Sequence, residues 1–404
     1  MIKDNQVSAY RWIILLAAVP IIISSEIMWL SLAPIASLAE SYYGVGAMAV
    51  ALFSMSYMIM YIFFSIPASW VVDRYGYKAS LIIGALITAA FGLTRAIFAD
   101  NFTIVIISQF IIAIGQPFLL NISTKIPANW FPMTERSTAA GILTLAQYIG
   151  FAVPMLLAPM LVESSGIPAV FMVFAIIAII SAVIAILFSK EKPKIAPPGP
   201  IAPKEDFSLP SIKKLFTNKP FLLVLVVSFV AVGIFNTILT MIEAILMPRG
   251  ITSVQAGIVG AIFVVAGIVG AVILPILSDK YHVRTPLFVG VISLLIFIYL
   301  GFTFVGSFVL VAVIAGIGGF AIMGVAPILF QHGSEVAYPV QEGTSLGMIL
   351  LAGQISGVLF IYLFEAIMNS TGSILWPMIL IVALTAAVMP FVLMMKESEL
   401  IGKG

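Results

Sequence analysis

The most restrictive feature of this chain is a series of long apolar stretches that follow one another along its length. A helix that crosses a bilayer needs about 20 mainly apolar residues. Such stretches cover residues 12–38, 47–72, 79–99, 102–126, 136–161, 167–189, 220–247, 253–278, 286–305, 307–332, 342–368 and 373–395. They are continuously apolar, whereas the strands of a membrane barrel alternate over about 10 residues. The pattern therefore predicts an all-α protein in a lipid bilayer, with twelve transmembrane helices.

The composition excludes several classes of protein. Charged residues make up only 9% of the chain, too few to cover a soluble surface. The net charge of +2 comes with no basic patch outside the loops, so we expect no nucleic-acid partner. There are no cysteines, and neither histidine stands in a metal-binding or catalytic pattern. We therefore expect no enzyme activity, no metal and no cofactor.

Lysine and arginine predict the orientation in the membrane. Most basic residues fall in loops on one side of the predicted spans: Lys3, Arg11, Arg74, Lys78, Lys125, Arg136, Lys280, Arg284, Lys396, Lys403 and the seven lysines of 190–219. Only Arg95 and Arg249 fall near the other side. Arg95 and Lys125 lie near helix ends, where we expect their side chains to reach the lipid headgroups. Because basic loops stay inside, we expect a multi-pass plasma-membrane protein with both termini in the cytoplasm.

The longest break between apolar stretches divides the chain in two. Residues 190–219 combine seven lysines with several prolines, a composition typical of an extended, solvated linker. We therefore predict a six-helix bundle over residues 1–189, a cytoplasmic linker over 190–219, and a second six-helix bundle over 220–404.

The two halves repeat each other at a steady offset. Asp73-Arg74-Tyr75 is matched 206 residues later by Asp279-Lys280-Tyr281, and Gln147 is matched 207 residues later by Gln354. Two related bundles joined in this way resemble the architecture of major facilitator transporters. In that fold the loop charges Asp73, Arg74, Asp279 and Lys280 would act in gating. The alternative is that they serve only to orient the helices.

Polar residues at membrane depth are candidates for a binding site, because ionisable groups there are costly. Glu26 and Glu243 fall in spans 1 and 7, and Glu365 lies near the end of span 11. For Glu26 and Glu243 we expect substrate or proton binding. The alternative is a packing carboxyl that burial keeps neutral.

Trp29 lies three residues after Glu26 and therefore on the same helix face. An indole beside a carboxylate suits an organic cation, which the ring face attracts. The amides Gln116, Asn236 and Gln354 also fall near midspan, where they either line a cavity or join helices. The small residues of Gly316–Phe320 predict close helix packing.

Several segments are similar to the feline leukaemia virus subgroup C receptor-related transporters of solute carrier family 49. The matching segments are Tyr10-Arg11-Trp12, Tyr43-Gly44-Val45, Gly115-Gln116-Pro117-Phe118, Lys125-Ile126, Trp130-Phe131, Val265-Ala266-Gly267, Tyr338-Pro339, Glu342-Gly343-Thr344-Ser345 and Gln354-Ile355. The resemblance runs through most of spans 1–11 and implies a carrier for choline, ethanolamine or haem.

The resemblance also implies roles for individual residues. An aromatic pair cages the ammonium group in that family, and Trp29 matches its first member. Gln116 and Gln354 match the glutamines that contact the hydroxyl end. The second aromatic residue falls on Asn236, and Glu26 and Glu243 replace uncharged residues. These departures imply a more strongly cationic substrate or proton coupling.

Together these observations predict a monomeric secondary transporter that moves a small organic cation by alternating access, with protons as a further candidate partner. Two alternatives remain open at this stage. A proton-coupled exporter of hydrophobic cations would use the 19 methionines as an adaptable surface. A non-transporting receptor or sensor would need a partner-binding domain, for which the sequence supplies only short loops and the linker.

Overall fold

The computed structural model describes residues 8–193, 209–281, 283–338, 340 and 342–397, and these residues form helices and short connections without any strand. The all-α prediction is confirmed. The chain divides into two compact units, Met1–Pro203 and Lys204–Gly404. Their boundary falls inside the predicted linker, of which residues 194–208 lie outside the described residues. Another part of that segment, Leu209–Thr217, is helical rather than extended.

In unit 1 the apolar stretches form helices that pack around one core. In chain order these are α1 Tyr10–Trp29, α2 Ala36–Tyr43, α3 Ala47–Tyr75, α4 Tyr77–Ile97, α5 Phe102–Leu120, α6 Ile122–Trp130 and α7 Met133–Phe188. The core draws its buried side chains from α1 and from α3 to α7.

Unit 2 has a similar series of helices, with an additional short helix at its start. Its helices are α8 Leu209–Thr217, α9 Lys219–Thr240, α10 Ile242–Leu246, α11 Ser253–Tyr281, α12 Thr285–Phe304, α13 Phe308–Val336, α14 Glu342–Thr371 and α15 Leu375–Met394.

Eleven helices in the described residues are long and apolar enough to cross a membrane, where the sequence predicts twelve spans. The difference lies in one helix, whose apolar part, Thr138–Phe188, has 51 residues. At about 1.5 Å per residue it is more than twice the thickness of a bilayer core. Gly166 interrupts it with φ 76° and ψ 177°, backbone angles that no helix contains. This one element therefore contains the two predicted spans 136–161 and 167–189.

The internal repeat extends to the way two helices begin. Glu191 accepts a hydrogen bond from the backbone amide of Lys78, in the first turn of α4, at 2.9 Å. Glu397 accepts one from the amide of Thr285, the first residue of α12, at 2.8 Å. The two carboxylates are 206 residues apart and their partners 207. Each satisfies amides that the first turn leaves open and complements the positive end of its helix.

Close packing between α11 and α13 depends on glycine, as the small-residue run predicts. A Cβ atom on Gly319 would overlap the carbonyl oxygen of Phe263, and one on Gly270 would overlap that of Phe320. Backbone cannot move aside as a flexible side chain can, so these two helices approach at a distance that excludes any side chain.

We predict that Gly319→Ala lowers the stability of the protein, because the added methyl forces α11 and α13 apart. Overpacking of this kind costs about 1–3 kcal/mol. Gly316→Ala, one turn earlier on the same helix, is the matched control, since its Cβ would lie 3.4 Å from a side-chain methyl of Ile262. The measurement is thermal unfolding in detergent, and equal melting temperatures for the two variants would contradict the steric argument.

Candidate functional site

The first helix of unit 1 stops in the middle of its predicted span. α1 ends at Trp29, and a short 3-10 turn, Ala33–Ile35, separates it from α2. The carbonyl of Met28, left open by this break, accepts hydrogen bonds from the hydroxyl of Ser31 and the amide of Gln109, both at 3.1 Å. Broken helices at membrane depth are tolerated where neighbouring groups satisfy the freed backbone, and they often mark transporter binding sites.

Trp29, the last residue of α1, lies in a group of aromatic rings. Its indole nitrogen donates to the carbonyl of Ser54 at 3.0 Å, which fixes the ring plane. Tyr57 lies near parallel to it at 6.4 Å between centroids, and Phe151 meets it edge-on at 5.2 Å. The indole is therefore held rigidly inside unit 1, where the prediction placed a cation-binding face.

Glu26 is 1% exposed and contacts Gln116, another of the predicted binding residues. The side-chain amide of Gln116 donates to both carboxylate oxygens, at 3.3 and 3.2 Å. On the other side Glu26 packs against Gly150, where a Cβ would come within 2.6 Å of the Cβ of Glu26. The carboxylate is therefore positioned by α5 and by α7 together. In the described part of the chain it forms no salt bridge.

The prediction that Arg95 reaches the headgroups is wrong. Arg95 is completely buried, where its guanidinium donates to Gln109 and to the sulfur of Met28. It also lies 4.4 Å from the ring centroid of Phe171. A delocalised guanidinium can be buried by such polarisable and aromatic partners, which the position near a helix end did not suggest.

Sequence reasoning missed the residues that support the site. Gln109 lies seven residues before Gln116 and therefore on the same face of α5. That spacing is a signal available from the sequence alone. Tyr57 and Phe151 gave no such signal, because aromatic residues are common throughout these spans and only the packing of α3 and α7 brings them to Trp29.

Unit 2 has a similar break, between α9 and α10, and two of the predicted residues lie near it. Asn236 is buried near the end of α9, and Gln354 is half-buried on α14, which packs closely on α9 at Gly233. Glu243 follows the break, in the separate short helix α10 rather than in a continuous span. It is 1% exposed and accepts a hydrogen bond from Ser253, the first residue of α11, at 2.5 Å.

The predicted gating charges lie at the ends of two helices. Asp73 forms a salt bridge of 2.6 Å with Lys125, so the side chain of Lys125 pairs with α3 instead of anchoring freely at the membrane surface. Arg74 is exposed in the last turn of α3. Lys280 is exposed in the last turn of α11, and the side chain of Asp279 lies outside the described residues.

Comparison with known proteins identifies the family of this chain. The family model of the Major Facilitator Superfamily matches residues 8–361. The chain belongs to this superfamily. It is a multi-pass membrane transporter and not an enzyme.

The relatives of this transporter confirm the resemblance drawn from the sequence. It is 29% identical over 379 residues to the choline/ethanolamine transporter FLVCR1 of Felis catus, covering 88% of this chain and 68% of that one. It is 29% identical to the choline/ethanolamine transporter flvcr2b of Danio rerio, with coverage of 90% and 79%. The human choline/ethanolamine transporter FLVCR2 is 27% identical, with coverage of 88% and 71%.

The fold has a close match among solved structures. A bacterial homolog of the human lysosomal transporter Spinster, solved in an inward-facing and unoccupied conformation, aligns with a TM-score of 0.77. The alignment covers 96% of this chain and 97% of that one at 16% identity. This likeness shows the fold alone.

We predict that Gln109→Leu destabilises the transporter more than the double variant Gln109→Leu/Arg95→Met does. The single change removes two donors to backbone carbonyls and leaves the buried guanidinium of Arg95 with fewer partners, at a cost of about 1–3 kcal/mol. Removing both polar partners relieves that burial penalty. Thermal unfolding of the wild type, both single variants and the double variant measures the coupling, and additive effects would argue against the buried pair.

Proposed function

We propose that this transporter moves a small organic cation, a choline-like amine, by alternating access around a site at the broken end of α1. The observation that carries the proposal is Glu26, a buried carboxylate without a basic partner in the described residues, one helical turn from the fixed indole of Trp29. The printed names of three relatives, choline/ethanolamine transporters, support the same class of substrate.

A charged carboxylate in the interior of a protein needs a partner of opposite charge. Burying a charged carboxylate without a counter-charge costs several kcal/mol of free energy. Because the described residues give Glu26 no basic partner, a charged Glu26 needs a bound cation. An organic ammonium ion supplies that charge and also gains from an aromatic face, worth about 2 kcal/mol when desolvated. A proton is the other cation that would satisfy Glu26, and Glu243 is the second candidate for proton binding.

We propose the remaining predicted residues as further substrate contacts, each within its own unit. Gln116 in unit 1, and Asn236 and Gln354 in unit 2, are the candidates for polar contacts to the part of the substrate that carries no charge. Gln116 lies against Glu26, while Asn236 is buried near the break in the first long helix of unit 2. Glu243 offers a second counter-charge after that break.

The orientation and the oligomeric state are also part of the proposal. In unit 1 the basic residues Arg11, Lys78 and Lys190 lie on one side, where α1 and α4 begin and α7 ends. Arg11 pairs there with Glu135 at 2.9 Å. This grouping supports a cytoplasmic location for those ends under the positive-inside rule. We propose a monomer in the plasma membrane with both termini in the cytoplasm.

We predict that Trp29→Ala and Glu26→Gln each weaken binding of ethanolamine and choline to the purified protein, and that each slows their uptake into proteoliposomes. Loss of a cation–π contact of about 2 kcal/mol corresponds to roughly thirty-fold in affinity. Trp376→Ala and Glu163→Gln, at exposed positions, are the matched controls. Binding is followed by calorimetry and uptake by radiolabel.

Three outcomes are informative. If the wild-type protein binds neither amine, the proposed substrate class is wrong. Competition by unrelated lipophilic cations would favour the exporter of hydrophobic cations instead. Uptake that depends on pH in the wild type but not in Glu26→Gln would identify Glu26 as the proton site.

Asp73 and Lys125 give a separate prediction about gating. Their side chains are 71% and 34% exposed, and ion pairs this exposed contribute only about 0–1 kcal/mol to stability. We therefore expect Asp73→Asn to leave the melting temperature and substrate affinity unchanged while it lowers the transport rate. The exchange Asp73→Lys/Lys125→Asp tests whether the pair or the acidic position matters. An unchanged rate in Asp73→Asn contradicts the gating role.

A further inference from the structure

We propose that Glu26 makes this transporter selective for ammonium ions that keep at least one N–H group, and that it discriminates against quaternary ammonium ions. The inference rests on the proposed function, because it concerns the same site. It goes further in naming which amines the site prefers and which side chain sets the preference.

The hydrogen-bonding capacity of Glu26 is only partly used inside the protein. A carboxylate offers about four acceptor positions, while the side-chain amide of glutamine has two N–H donors. Within the described residues, the amide nitrogen of Gln116 is the donor that reaches Glu26. Acceptor positions on the carboxylate are therefore left for a ligand that brings its own N–H groups.

The carboxylate is also fixed in place. Gly150 lies against the Cβ and Cγ atoms of Glu26, with its own ideal Cβ position only 2.8 Å from the carbonyl of Ile23. Gln116 holds both oxygens from the opposite helix. A carboxylate fixed in this way cannot easily move to make room for a methyl group. The groups on the nitrogen of the ammonium ion therefore decide how closely that ion approaches the carboxylate.

The chemistry of the two kinds of ammonium ion then decides the preference. An N–H group forms a short charge-assisted hydrogen bond with a carboxylate, at about 2.7–2.9 Å. A quaternary ammonium ion carries the same charge but has no N–H, and its methyl groups keep the nitrogen further away. Trp29 does not make this distinction, since a ring face attracts any cation. Glu26 is therefore the residue that separates the two.

Gln116 acts here as a positioning residue. Its amide nitrogen is directed at both carboxylate oxygens of Glu26, and its carbonyl oxygen is a further acceptor on the same side chain. Both side chains thus present acceptors, and both favour a ligand with donors. A primary amine that also carries a hydroxyl group fits this pattern better than its fully methylated form.

A methylation series tests the inference. Ethanolamine, N-methylethanolamine, N,N-dimethylethanolamine and choline all carry one positive charge at pH 7 and lose one N–H at each step. For the wild type we expect affinity to fall by about tenfold or more between N,N-dimethylethanolamine and choline, where the last N–H is lost. In Glu26→Gln we expect the difference in affinity between these last two amines to be less than threefold. Trp29→Ala should lower the affinity for every amine of the series and leave that difference as large as in the wild type.

The outcomes separate this inference from the proposed function. Equal wild-type affinities across the series would overturn the N–H preference and leave the cation transporter intact. Binding of no member would overturn the proposed function. A step that survives in Glu26→Gln would assign the selectivity to another residue. The wild-type series tests the N–H preference even where a variant fails to fold. Gln116→Leu frees the carboxylate, so we expect a smaller loss of affinity between N,N-dimethylethanolamine and choline in this variant than in the wild type.

Discussion

The arrangement of unit 1 depends on the fact that a bilayer core offers no hydrogen-bond partners to the backbone. A helix that stops at Trp29 leaves carbonyls that its own next turn would have satisfied. Ser31 and Gln109 bond the carbonyl of Met28, and Gln109 is held in turn by Arg95. The break, the indole at its end and the buried guanidinium behind it therefore form one connected structure. Without the polar support, the chain would gain by continuing the helix through the position where Trp29 now ends it.

In the described part of unit 1 the buried acidic and basic side chains are those of Glu26 and Arg95, and they are stabilised in different ways. Arg95 is surrounded by an amide, a thioether and an aromatic ring, so its charge is dispersed over groups that belong to the protein. Glu26 is given one amide partner and no basic one in the described residues. The protein thus completes the surroundings of the guanidinium, whereas the carboxylate keeps a single amide partner. The proposed function accounts for this contrast, because under it a ligand or a proton completes the surroundings of Glu26.

Much of the fold followed from the sequence because hydrophobic length is a strong signal in a membrane. The span positions and the all-α class needed no tertiary information, and the repeat was visible in Asp73 and Asp279. The Glu26–Gln116 contact was not predicted as a pair, although both residues were candidates, since polar residues at depth are rare enough to stand out. Arg95 was misjudged because its place near a helix end says nothing about which helices cover it. The aromatic partners of Trp29 were missed for the same reason, as apolar residues carry no positional signal where most of the chain is apolar.

An incompletely paired carboxylate also bears on how a transport cycle would run. Each conformation must lie within a few kcal/mol of the others, and a ligand shifts the balance only by its differential affinity. An empty, charged Glu26 raises the energy of any state that encloses it without water, whereas a bound cation removes that penalty. Enclosure would then be favoured when the site is occupied and disfavoured when it is empty and charged. A single carboxylate beside Trp29 would in this way couple occupancy to closure, and protonation of the empty site would be the alternative route by which the transporter returns.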